Sequence, residues 1–223
     1  LPAFGGEDPE DIEAARRDAP HAFRTQRRAV TAADYADAAG RVSDVQRAAA
    51  TFRWTGSWHT VFVSADRRNG APVDAEFEAG LRAHLERYRM AGYDLEVDSP
   101  RFVPLDIVLH VCVKPGYFRA DVVRSVRAVL SNTLLPGGAR GAFHPDNFTF
   151  GDPVFASRLI ALAQSIDGVE SVRLERFQRL VDPDPGSLAD GRIGLGRLEV
   201  ARLDNDPNYR ERGRLTVNAG GGK

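Results

Sequence analysis

The sequence predicts an α+β fold, with mixed sheets that carry helices on one face. Two observations predict it. Short stretches of alternating apolar and polar residues recur along the chain, and stretches with helical spacing separate them. Their order is β-β-α-β, then β-α-loop-α-β, followed by a strand-rich segment, which is typical of sheets covered on one side.

The first unit of this pattern begins with a capping box. Thr31 and Asp34 are spaced so that each side chain can satisfy a free amide, which predicts a helix over residues 32–39. Residues 45–54 and 58–65 then alternate as strands joined by Thr-Gly-Ser, the short connection of a β-hairpin. The unit continues with a helix that Asp74 caps and a strand at 93–97.

The second unit repeats the alternation of strand and helix. The predicted elements are a strand at 103–113, a helix at 119–130, a loop of about 20 residues, a helix and a strand at 169–177. Asp152 and Pro153 predict the start of that second helix, because proline at the first helical position loses no hydrogen bond. Its apolar stripe is Phe155, Leu159, Leu162 and Ile166.

The predicted division of the chain has four parts. Residues 1–43 are an N-terminal helical segment, with a helix between residues 9 and 18. Residues 44–100 and 101–180 are the two α+β units. Residues 181–223 start as a linker and continue as two strand-like stretches, at 192–203 and 213–219, which we expect to form a hairpin or arm outside the main body.

Charge and composition exclude several classes of partner. The 30 basic residues nearly balance the 31 acidic ones, so no overall field attracts nucleic acid or an anionic membrane. The single cysteine, Cys112, is typical of a chain that matures in a reducing cytoplasm. No apolar run reaches the roughly 20 residues that span a bilayer. The chain starts at Leu1, so we expect it to be part of something longer.

The stretch GAFHPDNFTFG at residues 141–151 is the strongest candidate for a site. His144 and Asp146 can act as a general base with its orienting carboxylate. Alternatively, Pro145 and the Asp-Asn pair make an ordered structural loop, which Phe143, Phe148 and Phe150 lock or present to a partner protein.

Two weaker patterns suggest metals. His110 and Cys112 lie two apart on a predicted strand, so they share a face, but two ligands do not make a site. Asp204, Asp206 and Asn208 imitate the start of a calcium loop, but the sixth and twelfth positions are tyrosine and leucine instead of glycine and glutamate. We therefore predict no metal, cofactor or catalytic residue.

The turn of the first hairpin carries residues that are common at interface hot spots. Arg53 and Trp54 precede the turn and Trp58 follows it. The alternative is that at least one tryptophan packs in the core.

Long motifs over residues 20–210 resemble the C-terminal part of baseplate J-like assembly proteins, which are wedge components of contractile phage tails and extracellular contractile injection systems. The motifs are HAFRTQRRAVTAADYADAA, VQRAAATFRWTGSWHTVFVSADR, AGYDLEVDSPRFVPLDIVLHVCVKPGYFRADV, FHPDNFTFGDPVFASRL and GRIGLGRLEVARLDNDP. The resemblance is strongest to the injection-system branch, in which the FHPDNF loop belongs to the family signature.

The resemblance implies a structural protein that is made in the cytoplasm and assembled into a sixfold baseplate. Expected partners are other copies of the chain and a second wedge protein, with hub and sheath proteins as further candidates. The predicted interface residues are Arg53, Trp54, Trp58, Phe143, His144, Asp146, Phe148, Phe150 and, on the expected arm, Leu195, Leu198 and Val200. The alternatives are a hydrolase that uses His144 and Asp146, or a free-standing adaptor domain.

Overall fold

The computed structural model describes Ile12 and residues 28–223, so the helix predicted between residues 9 and 18 falls almost entirely outside the described residues. Within them, the chain forms two α+β units, each around its own buried apolar cluster. The first unit is residues 28–98 and the second is residues 101–223. The predicted α+β class is confirmed. None of the helices in the described part is long and apolar enough to cross a membrane.

The first unit is a three-stranded mixed sheet covered by two helices. Its elements are α1 (Ala32–Gly40), β1 (Val45–Trp54), β2 (His59–Arg67), α2 (Ala75–Glu86) and β3 (Asp94–Asp98). The hairpin β1–β2 is antiparallel, and α2 carries the chain over to β3, which lies parallel to β2. The strand order is therefore β1-β2-β3.

Alternation in the strands decides which face the helices cover. Ala50 pairs with Val63 and both are buried on the same face, as are Leu81 and Leu85 of α2. The predicted capping box is present at α1, because the Asp34 amide donates to Thr31 Oγ1 and the Asp34 carboxylate accepts from the Thr31 amide. Local sequence thus fixes this helix end.

The second unit is built around one long strand. Its elements are β4 (Arg101–Val113), α3 (Arg119–Val129), β5 (Val154–Phe155), α4 (Ala156–Gln164), β6 (Val169–Arg179), α5 (Ser187–Asp190), β7 (Arg192–Ile193), β8 (Glu199–Arg202) and β9 (Arg214–Gly221). β6 pairs with one edge of β4 in antiparallel register. β8 and β9 both pair in parallel with β4. The face of β4 that carries Ile107, Leu109 and Val111 is fully buried in the cluster that also contains Val126 and Leu159 of the two helices.

The C-terminal segment is strand-rich as predicted, but the expectation that it forms a hairpin or arm outside the main body is wrong. β8 pairs with residues 101–104 and β9 with residues 106–113, so the two strands follow one another along β4 and run in the same direction. Leu203, Leu215 and Val217 are buried as a result. The chain bulges outward between β8 and β9 and returns at Gly213, whose φ is 105° and where a Cβ would lie 2.8 Å from the Arg202 carbonyl oxygen.

The predicted helix start at Asp152 is also wrong. α4 begins at Ala156, and Val154 and Phe155 form β5, which pairs with β7. Pairing with a remote strand overrides the local capping signal, because it buries Val154 in the second cluster. Phe155, predicted to face the core, is 47% exposed.

Candidate functional site

The loop over residues 131–152 is folded upon itself by its own polar groups. The His144 ring accepts a hydrogen bond at Nδ1 from the Asp146 amide, which caps a single 3₁₀ turn at Pro145–Asn147. The Asn147 side-chain amide donates to the Gly141 and Ala142 carbonyls at 2.8 and 3.2 Å. Phe143 and Phe148 stack with ring centroids 6.0 Å apart and are buried. The loop is thus ordered by local hydrogen bonds and aromatic packing.

The same loop holds the first unit to the second. The Gln46 side chain, on β1, donates to the carbonyl oxygens of Asp146 and Phe148 at 3.3 and 3.1 Å. The Asn69 amide, just after β2, donates to the Asp146 carboxylate at 2.5 Å. Gly70 approaches Pro145 so closely that a Cβ would lie 3.0 Å from the proline ring. We call this set of contacts the joint: Gln46, Asn69 and Gly70 on one side and Pro145, Asp146 and Phe148 on the other.

A hydrolase that used these two residues would require the Asp146 carboxylate to orient the imidazole of His144. The carboxylate does not do so. Its Oδ1 accepts from the Asn69 amide and its Oδ2 pairs with the Arg140 guanidinium at 3.0 Å. Only the backbone amide of Asp146 meets the ring. The two residues singled out for acid-base chemistry therefore make structural contacts, and His144 is only 5% exposed.

A buried carboxyl group lies beside the joint. Asp66, near the end of β2, is 4% exposed, and its Oδ2 makes no hydrogen bond within the described part of the chain. It lines a cavity of about 210 Å³ together with Asn69, His144 and the start of the bulge after β8. Burial, and secondarily the nearby Asp146 carboxylate, raises the pKa of Asp66 to about 7. The Asp66 carboxyl group, at the contact between the units, therefore gains or loses its proton near neutral pH.

The predicted hairpin tip is exposed. Trp54 and Trp58 are 61% and 53% exposed, so neither packs in the core. Trp58 Nε1 donates to the Asp94 carboxylate, which fixes its ring against β3. The guanidinium of Arg53 lies over the Phe62 ring, 4.4 Å from its centroid. The tip presents two large, partly immobilised aromatic rings to the surroundings.

The remaining predicted interface residues belong to the second unit, where Val200 is part of the buried cluster and Phe150 and Leu195 pack against it. Val200 is buried, and Leu195, Leu198 and Phe150 are half-buried. Next to Leu198, the Arg197 guanidinium donates to the Ala50 carbonyl on β1 at 3.2 and 3.3 Å. Five of the predicted interface residues therefore make contacts within the protein: Phe143, His144, Asp146, Phe148 and Val200. The side chains of Arg53, Trp54 and Trp58 face outward.

The two metal-like patterns are engaged in other contacts. The Cys112 thiol donates to Glu170 at 3.4 Å, and His110 Nδ1 lies 3.6 Å from Glu175. The Asp204 carboxylate pairs with Arg202 at 2.6 Å. Across residues 28–223, no group of three or more His, Cys, Asp or Glu side chains is placed to hold a metal ion.

Sequence reasoning missed Gln46, Asp66, Asn69, Arg140 and Arg197, which make or flank the joint. One signal was available for Asp66, since a carboxylate that follows three consecutive buried residues of an apolar strand calls for a partner or a proton. The Asn69-Gly70 pair is a turn signal, and both residues have positive φ. No local pattern relates either position to residue 146.

The fold and the joint define a protein of two α+β units, in which the loop at residues 141–151 holds one unit to the other. Residues 27–98, which include the first unit's sheet and both of its helices, match the model of the Baseplate J-like central domain family. No curated protein matches the chain in sequence.

Among solved structures, the chain is similar to one in the "Cryo-EM structure of the anti-feeding prophage (AFP) baseplate, 6-fold symmetrised". The TM-score is 0.51 and the identity is 17%, and the match covers 90% of this chain and 43% of that one. The chain thus spans less than half the length of this relative, and the likeness shows the fold. The predicted resemblance to baseplate J-like proteins is confirmed by the family model over residues 27–98, and the solved structure adds a shared fold.

Proposed function

We propose that this chain is a structural wedge component of the baseplate of a contractile phage tail or contractile injection particle. The observation that carries the proposal is the agreement of two independent comparisons. A Baseplate J-like family model matches the first unit, and a chain of a sixfold-symmetrised baseplate shares the fold over 90% of the length. The proposal goes beyond this agreement in three respects: the chain belongs to the wedge, lies in a sixfold ring and takes part in triggering contraction.

The joint supports a mechanical role. A component that links neighbours around a ring has to transmit force between its surfaces without bending. Here the loop that carries Asp146 holds two separately cored units together by hydrogen bonds from Gln46 and Asn69, while Arg197 adds a second attachment on Ala50. In our proposal, the two units therefore move as one body during assembly and contraction.

The hairpin tip supports contact with another protein. Exposed tryptophans beside an arginine are the residue types that most often dominate binding energy at interfaces. We propose that Arg53, Trp54 and Trp58 contact a neighbouring baseplate chain, either another copy of this protein or a second wedge protein. Hub and sheath proteins are further candidates for the same particle.

The test is to locate the chain in particles. A tagged chain in purified particles, imaged by electron microscopy, should place the tag at the baseplate end. A tag found elsewhere, or a free monomer that binds a single partner without symmetry, would overturn the proposal and favour the adaptor alternative.

A matched pair of variants tests the hairpin tip. Trp54→Ala should leave the purified chain folded, because the ring is exposed, and should reduce the yield of complete particles. Tyr209→Ala, which removes a 46% exposed aromatic ring from the bulge after β8, is the control and should assemble normally. Normal assembly of Trp54→Ala particles would remove the tip from the proposal.

A further inference from the structure

A groove of about 480 Å³ lies between the first sheet, on the face opposite its helices, and the segment before β8. Its walls include Arg53 from β1, Arg101 from the start of β4 and Arg197 from the turn before Glu199. Ser64, Asp98 and Ser99 also line it. The groove thus brings together arginines from three separate elements on one concave surface.

The positive charge of these arginines is poorly neutralised. Arg197 donates to a neutral peptide carbonyl, that of Ala50, and Arg53 lies over the face of the Phe62 ring. Within residues 28–223, no carboxylate approaches the nitrogens of Arg53 or Arg197 to 4.0 Å. Arg101 lies 3.5 Å from Glu199, and its side chain is 78% exposed.

The negative charge of Glu199 is shared between two arginines, because its carboxylate pairs with Arg179, which does not line the groove, as well as with Arg101. Glu199 Oε2 accepts from the Gly196 amide and from Arg179, both at 2.8 Å, and the residue is 8% exposed. Burial alone raises the pKa of Glu199, but the hydrogen bonds from Gly196 and Arg179 hold it below its ordinary value. Three arginines thus face two carboxylates, those of Asp98 and Glu199, and Glu199 is also paired with Arg179, so the groove has a surplus of positive charge.

We propose that this groove binds an acidic segment, with at least two Asp or Glu side chains, from a neighbouring protein chain of the particle. The inference rests on the proposed function, which supplies the neighbour. Guanidinium groups bind carboxylates through two parallel hydrogen bonds, and a concave surface strengthens their field.

The decisive experiment replaces Ser99 with a photo-crosslinking amino acid in assembled particles. Ser99 is exposed within the groove, and Ser125, exposed on α3, is the matched control position. Mass spectrometry of the product from position 99 should identify a segment with two or more carboxylates within about one strand length. An apolar or basic segment, or no product in particles that contain the chain, would overturn the proposal.

Binding by the purified chain provides the second test. A fluorescent hexaglutamate peptide should bind at low salt, and the double variant R53E/R101E should weaken this binding at least about tenfold. The control variant R124E/R127E reverses two exposed charges of α3 and should change it less than about twofold. Equal weakening by both variants, or none by the first, would contradict a specific groove.

The outcomes separate this inference from the proposed function. A chain that lies at the baseplate but fails both groove tests leaves the structural role intact and removes the acidic partner. A chain absent from the baseplate whose groove still binds hexaglutamate through Arg53 and Arg101 removes the role and keeps the anion specificity.

Discussion

The backbone amide of Asn69 donates a hydrogen bond to the carboxylate of Asp146, 77 positions further along the chain and in the other unit. This contact places the most conspicuous loop of the sequence at the joint. Replacing Asp146 with alanine leaves the Asn69 amide and Arg140 without their acceptor. We expect the free energy of unfolding to fall by about 1–3 kcal/mol in urea titrations.

The control for this change is Asp121→Ala. Asp121 pairs with Arg124 on the surface of α3, where both side chains are more than half exposed. Exposed pairs contribute little, so its effect should stay within about 0.5 kcal/mol. Equal losses for the two variants would show that Asp146 is not special to the joint.

Asp66 makes the stability depend on pH. Its pKa is about 7 in the folded chain and 3.8 as a reference for the unfolded chain, so between these values the folded chain keeps a proton that the unfolded chain releases. The contribution of Asp66 to the free energy of unfolding is therefore most favourable below about pH 4 and is lost as the pH rises through 7. Asp66→Asn should raise the melting temperature, relative to the unchanged chain, more at pH 8 than at pH 5.

Asp98→Asn provides the comparison for the pH experiment, because Asp98 is exposed on β3. Thermal unfolding of the three chains gives the shift in melting temperature of each variant at pH 5 and at pH 8. The change in this shift between the two pH values is then compared between Asp66→Asn and Asp98→Asn. If Asp66→Asn shifted the melting temperature equally at pH 5 and pH 8, proton uptake at this position would be ruled out.

His144 can be tested by its role as a cap. Asparagine accepts a hydrogen bond from a backbone amide well at this kind of position and alanine does not. His144→Ala should therefore cost about 1 kcal/mol more stability than His144→Asn, as measured by urea unfolding. A hydrolytic activity that His144→Asn abolished at unchanged stability would instead restore the enzyme hypothesis.

The last strand can be tested by a pair of neighbouring substitutions. Leu215 is 6% exposed in the second cluster, whereas Thr216 on the same strand is exposed. Leu215→Ala should cost about 2–5 kcal/mol and Thr216→Ala less than about 1 kcal/mol. A small effect at Leu215 would mean that β9 belongs to an arm outside the main body, as the sequence had suggested.

Elements with local signals were predictable from the sequence, and contacts between remote segments were not. The capping box of Thr31 and Asp34 and the alternation in β1, β2 and β4 depend on residues a few positions apart. The pairing of β8 and β9 with β4 depends on matching edges of distant strands, which alternation leaves open.

For the candidate site too, local order was predictable from the sequence and contacts with remote segments were not. The 141–151 loop was recognised as ordered, because its proline, asparagine and phenylalanines carry that information locally. Its binding to Gln46 and Asn69 was missed, since an isolated glutamine in a strand indicates no particular partner. At Asp152 the local signal was strong but misleading, because the pairing of Val154 with Ile193 prevailed.

The parallel pairing of β9 with β4 has a consequence for biosynthesis. Asp106 on β4 and its pairing partner Arg214 on β9 are 108 positions apart, so one edge of the central strand stays open until residues 214–221 have left the ribosome. Open edges rich in valine and leucine readily pair with other chains. Nascent copies are therefore most prone to aggregate during this interval, and fast translation of the codons between β4 and β9 or a chaperone on β4 should improve the yield of folded chain.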